Sequence, residues 1–180
     1  EGISGLVLDI KVGNGTFMKS KHKAIELGSW MKKIGEAFNI KTDIVYSNMN
    51  QPLGNYAGLS CEVFEAIECL KGKGPNDLMD VTFELGSQLL LQSGAAKTLS
   101  EANELQKNII KSGKALEIFE NSVETQGGRL DEFLSQSSPN YESFVYPKNS
   151  GFIQEMDTES IGWHLVCLLY TSPSPRDSIR

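Results

Sequence analysis

Residues 5–12, GLVLDIKV, place Leu6, Leu8, Ile10 and Val12 on one face of an extended chain and Val7, Asp9 and Lys11 on the other. A turn bounded by Gly13 and Gly15 follows. Ala24, Leu27, Met31, Ile34 and Phe38 then recur at spacings of three and four, which predicts an amphipathic helix. Residues 42–47, TDIVYS, return to strand. A strand, a crossover helix and a second strand predict parallel pairing, and parallel strands need helical cover. This order confines the chain to an α/β fold, a sheet with parallel strands covered by helices.

The loop at 48–58, NMNQPLGNYAG, is rich in turn residues. The helix after it carries Leu59, Val63, Ala66 and Leu70 as its expected buried stripe, and Lys71-Gly72 closes it. Leu78, Val81, Leu85 and Leu89 share a helical face over 76–92. Thr98 to Glu101 has the form of a capping box and opens a helix ending at Gly113. A shorter helix with Ala115, Phe119 and Val123 ends at Gln126-Gly127-Gly128. Residues 1–128 therefore read as a central α/β domain whose helical hairpins pack on the sheet, and polar 129–150 as an irregular linker. Residues 150–157 look like a fresh strand and the next nine like a helix, so 151–166 reads as the opening of a second domain. At 167–178, CLLYTSPSPRDS, the patterning breaks, and the stretch resembles translated sequencing-adapter read-through. Residues 167–180 are accordingly expected to be a non-native tail without functional weight. Because residue 1 is Glu and a strand begins almost at once, the chain reads as starting within a longer protein.

With 39% hydrophobic residues the chain has material for a sizeable core. A net charge of −6 argues against a nucleic-acid or anionic-membrane surface, and LVCLLY at 165–170 is too short to span a bilayer. Cys61, Cys69 and Cys167 form no metal spacing, and the first two lie about 12 Å apart along one helix, too far to bridge. That usage fits a reducing, cytoplasmic compartment.

The Gly13-Asn14-Gly15 turn sits where α/β sheets place ligands, at a strand carboxyl end. It lacks the third glycine of a dinucleotide fingerprint, because Met18 stands there, and it lacks the Lys-Ser end of a P-loop. It reads as a tight turn. His22 and His164 have no convincing partners in the sequence.

LVLDIKVGNGTFMK, then NMNQPLGNYAGLSCEVFEAIECLKGKGPNDL, then SGKALEIFE and QGG, together resemble the thymidine and pyrimidine-nucleoside phosphorylases over about residues 1–166. The resemblance implies part of the large α/β domain of a two-domain enzyme, followed by the start of a C-terminal α+β domain. It implies phosphorolysis, in which phosphate attacks the anomeric carbon of a pyrimidine nucleoside, thymidine above all, and releases base and (deoxy)ribose 1-phosphate. Phosphate is then a substrate, no cofactor is required, and the whole enzyme is a homodimer. The groups that grip phosphate and base in the family lie upstream of Glu1. No catalytic residue is therefore expected in this chain, and the chain alone is expected to be inactive.

The resemblance places Phe17 against the pyrimidine ring, although core packing is the ordinary fate of a phenylalanine. Asp9 and Lys11 are expected as an ion pair supporting the cleft. The main-chain oxygens of Leu53 and Tyr56 with the Glu65 carboxylate are implied as part of a site for K+ or Ca2+, an all-oxygen set suited to a hard cation. Glu65 also reads as solvated helix face beside Glu62 and Glu68. Rival readings are a broad-specificity pyrimidine-nucleoside phosphorylase, a phosphoribosyltransferase of the same architecture with a diphosphate and Mg2+ site, and a non-catalytic relative.

Overall fold

The computed structural model describes residues 2–137 and 142–170. Strand β1 (Gly5–Val12) leads through the glycine turn into helix α1 (Lys21–Ala37), and strand β2 (Lys41–Asn48) returns beside β1. The two strands are parallel, in register from Gly5 opposite Lys41 to Val12 opposite Asn48. Helices α2 (Leu59–Leu70), α3 (Asn76–Ser93), α4 (Leu99–Lys111), α5 (Lys114–Thr125), α6 (Leu130–Gln136) and α7 (Thr158–Tyr170) follow. The α/β reading of the alternating apolar pattern holds.

Helix α1 lies close on β2 because its inward positions are Ala24, Gly28 and Gly35, all buried. A Cβ at Gly28 would meet the Tyr46 hydroxyl and come within 3.3 Å of Ile44, and one at Gly35 would come within 2.9 Å of the Ile40 carbonyl. The expected stripe is therefore wrong in detail. Ile34 and Phe38 face outward at 53% and 72% exposure, because glycine rather than a bulky side chain allows helix and sheet to touch. Helix α3 takes the other face, where the Gln92 amide donates to the Leu6 carbonyl at 3.1 Å and to Asp43 at 2.7 Å.

Thr98 caps α4 by accepting from the Glu101 N–H at 3.2 Å, as the Thr-x-x-Glu pattern predicts, while Glu101 reaches back one residue further than in a capping box and accepts from the Lys97 N–H at 2.8 Å. Helices α3 and α4 join through polar groups. Buried Ser87 accepts from the Gln106 amide at 2.9 Å, and that amide also reaches the Phe83 carbonyl.

Five further expectations need correction. The core is small: among the described residues its buried apolar members are Ile10, Ala24, Ile67, Ala96 and Ala102, since a two-stranded sheet covers little. Residues 150–157 form no strand, because among the described residues no ladder partner lies beside them and Phe152 and Ile153 stand in solvent. Within the expected linker, Leu130, Phe133 and Leu134 share one side of α6, and Phe133 meets Phe64 with ring centroids 6.5 Å apart. On α2 the buried positions are Glu65 and Ile67, whereas Ala66 is exposed. Of the expected tail, 167–170 continue α7, and 171–180 lie outside the described residues.

Candidate functional site

A cleft of about 780 Å3 opens at the carboxyl ends of the two strands, where parallel sheets present their ligand sites. Its walls are the turn after β1, the loop after β2, helix α2, Leu78 of α3 and the inner side of α7. The surface is mostly apolar, with Phe17, Tyr56 and Trp163 bringing aromatic rings from three different segments.

The turn after β1 is folded against the protein's own oxygens. The Gly13 N–H donates to the Met18 carbonyl at 3.1 Å, Asn14 N–H to Asn50 Oδ1 at 3.0 Å, Gly15 N–H to the Met49 carbonyl at 3.0 Å, and Thr16 N–H to the Gly13 carbonyl at 3.3 Å. A phosphate cradle needs convergent N–H groups without other partners, and these four are engaged. Gly13 is a glycine because its φ of 145° and the approach of the Met49–Asn50 backbone, 2.6 Å from a would-be Cβ, exclude a side chain. The compact turn leaves Phe17 98% exposed at the cleft, so it is not packed in the core of this chain.

Carboxylates hold the loop after β2. The Gly54 N–H donates to Asp77 at 3.1 Å, the Asn55 N–H to Glu65 at 2.7 Å and the Gly58 N–H to Glu62 at 2.8 Å. Glu65 is only 6% exposed, tucked beneath Gly54, so its reading as solvated helix face is overturned. Among the described residues no Lys, Arg or His forms an ion pair with it. A buried carboxylate with no cationic neighbour is costly. Its charge also reaches Cys69, whose thiol is pushed up by burial first and by Glu65 second. Glu65 thus offers one buried carboxylate, an oxygen ligand of the kind a hard cation takes, beside the 53–58 loop. Among the described residues no group of three or more His, Cys, Asp or Glu could hold a metal, so a cation here would depend on main-chain oxygen.

Helix α7 closes the far side. Asp157 caps it, accepting from the Ser160 N–H at 3.0 Å and its hydroxyl at 2.7 Å. Those two bonds, the backbone one foremost, hold the Asp157 carboxyl below its ordinary value of 3.8, with a smaller push from Lys19. A group whose folded value is depressed stabilises the fold above its unfolded value and loses that contribution as pH falls through the folded one. Amide protection at 158–162, taken relative to the intrinsic exchange rate at each pH, is therefore expected to hold from pH 7 to about 4 and to fall below it. Asp157→Asn, unable to ionise, should remove that acid step; a step of unchanged size in the variant would refute the assignment.

Charge in the cleft is mainly negative: Glu62, Glu65 and Glu159 line it with Lys19, and Lys19 is bound to Glu159 at 2.6 Å. Asp9 and Lys11 form the expected pair at 2.6 Å, yet neither lines the cleft; both tie into Ser47 of β2. His22 is exposed, and His164 Nδ1 lies 2.7 Å from the Ser160 carbonyl along its own helix. Lys19, the Tyr56 ring and Trp163 were not singled out by sequence reasoning. Their only signal is spatial, through the docking of 156–166 on the turn. Among the described residues no helix is long and apolar enough to cross a membrane.

No family model matches the chain. It is 39% identical over 164 residues to the pyrimidine-nucleoside phosphorylase of Bacillus subtilis, covering 89% of this chain and 38% of that protein. The pyrimidine-nucleoside phosphorylase of Staphylococcus aureus is 38% identical over 164 residues with the same coverage. The chain spans 38% of the length of these relatives.

Proposed function

The chain belongs to the pyrimidine-nucleoside phosphorylase family over the stretch it shares with these relatives, and from that premise we propose that it forms the base-facing wall of such an enzyme. The protein carrying it cleaves pyrimidine nucleosides with phosphate in the cytoplasm. A phosphate oxygen forms the new bond to the anomeric carbon, the glycosidic C–N bond breaks, and its electron pair leaves with the base. Thymidine is the first substrate to test. Uridine stands beside it, because the relatives are named for pyrimidine nucleosides as a class.

One observation carries the reading: Phe17 stands 98% exposed at an apolar, net-negative cleft, on a turn whose N–H groups are already engaged. Such a wall suits a flat, weakly polar ring and repels a phosphate dianion. The anion and the developing negative charge on the base are held by cationic groups of the protein outside this chain. A K+ or Ca2+ ion on the Leu53 and Tyr56 carbonyls and Glu65 would neutralise the buried carboxylate and stiffen the loop.

The test is phosphate-dependent release of thymine or uracil from thymidine, deoxyuridine and uridine by the full-length protein. Release is expected from at least one of the three, and from none with the 180-residue chain alone. Phe17→Ala should raise KM about tenfold, the equivalent of one lost ring contact. No release from any nucleoside sinks the proposal, and release that requires diphosphate and Mg2+ favours a phosphoribosyltransferase.

A further inference from the structure

We propose that Asn14 and Gly15 are positioning residues that dock residues 156–159 onto the turn and thereby set the separation of the Phe17 and Trp163 walls of the cleft. Among the described residues α7 packs extensively against no other helix or strand. Its attachment is instead concentrated at its N-terminus. Asn14 Nδ2 donates to the Met156 carbonyl at 2.7 Å, across 142 positions of sequence. Lys19 Nζ donates to the Asn14 carbonyl at 2.5 Å and to Glu159 at 2.6 Å, bridging the two segments. Thr158, 5% exposed, lies over Gly15 so closely that a Cβ there would stand 2.7 Å from its methyl group.

The joint is also poised to open. Asn14 Oδ1 and the Thr158 hydroxyl are buried without a hydrogen-bond partner among the described residues, and each such atom subtracts from the stability of the docked state. Residues 142–157 carry no regular structure that would hold α7 in place independently. The wall bearing Trp163 and Val166 is thus held mainly by the turn that carries Phe17, so undocking would widen the cleft from one end. The consequence for a pyrimidine rests on the function proposed above; the docking does not.

Hydrogen exchange on the 180-residue chain tests it, with peptides over 13–19 and 156–166 and a control over β1 and α1. Asn14→Ala should raise exchange of 156–166 about tenfold, the loss of one hydrogen bond, with the control unchanged. In a Trp30→Phe background, Trp163 emission should become more accessible to acrylamide. Gly15→Ala should undock α7 by steric contact, and adding Thr158→Ala should restore part of the protection. If exchange at 156–166 stays at the parental rate in both Asn14→Ala and Gly15→Ala, the proposal is overturned. Should Asn14→Ala lose the control protection as well, Gly15→Ala and Lys19→Gln decide by the same readout. No ligand is needed, so failure here and failure of phosphorolysis are separate results.

Discussion

Glu65→Ala is expected to destabilise the chain by about 2–3 kcal/mol, while Glu65→Gln costs less than about 1 kcal/mol or stabilises it. Two effects oppose each other at this side chain. The carboxylate accepts the Asn55 N–H at 2.7 Å, and removing it leaves that N–H without its acceptor beside an empty space under Gly54. It is also a 6%-exposed anion with no Lys, Arg or His paired to it among the described residues, and that charge opposes folding. Glutamine keeps an acceptor for Asn55 and removes the charge, so it isolates the second effect. Urea denaturation of the three proteins measures both. A Gln variant as unstable as the Ala variant would mean that charge itself holds the loop. Repeating the series with K+ or Ca2+ extends the test: the parent should gain stability with the ion that binds, and the Gln variant should not respond.

The alternation of residues 5–12 and 42–47 was legible because a strand with two different faces writes its period into the sequence. Thr98 and Glu101 were legible for a similar reason, since capping is a local bond between residues three apart. The face of α1 was not. Its apolar spacing points to Met31, Ile34 and Phe38, but close approach to β2 selected Gly28 and Gly35, and no local pattern records how near a sheet will come. Glu65 was misjudged for the same kind of reason: three glutamates along α2 look alike until the 53–58 loop folds over one of them. Residues 150–157 have strand-like composition and no partner among the described residues, and pairing is a property of two segments. Within the site, Phe17 was legible through family resemblance. Trp163 and Lys19 enter through contacts across 140 and more positions, which a single sequence cannot display.

Asp9→Ala is expected to cost about 2–3 kcal/mol, several times the effect of breaking the surface pair Lys19–Glu159. Both pairs are 2.6 Å long, so distance does not separate them. Surroundings do. Lys19 and Glu159 side chains are 53% and 55% exposed, where water screens the attraction and entropy offsets it, whereas Asp9 is 19% exposed on the sheet. Asp9 also accepts from the Ser47 hydroxyl at 2.6 Å, and that hydroxyl in turn accepts from Lys11 at 3.0 Å, closing a triangle across β1 and β2. Removing Asp9 leaves Lys11, at 34% exposure, with Ser47 alone and takes the acceptor from the hydroxyl proton of Ser47, a residue 7% exposed. Ser47→Ala removes one corner while leaving the ion pair, and about 1 kcal/mol is expected. Because the corners share partners, Asp9→Ala/Ser47→Ala should cost less than the two single losses together. Urea curves at low and high salt decide it: an Asp9→Ala loss below about 1 kcal/mol, or one that vanishes at 1 M NaCl, would class the triangle with ordinary surface pairs.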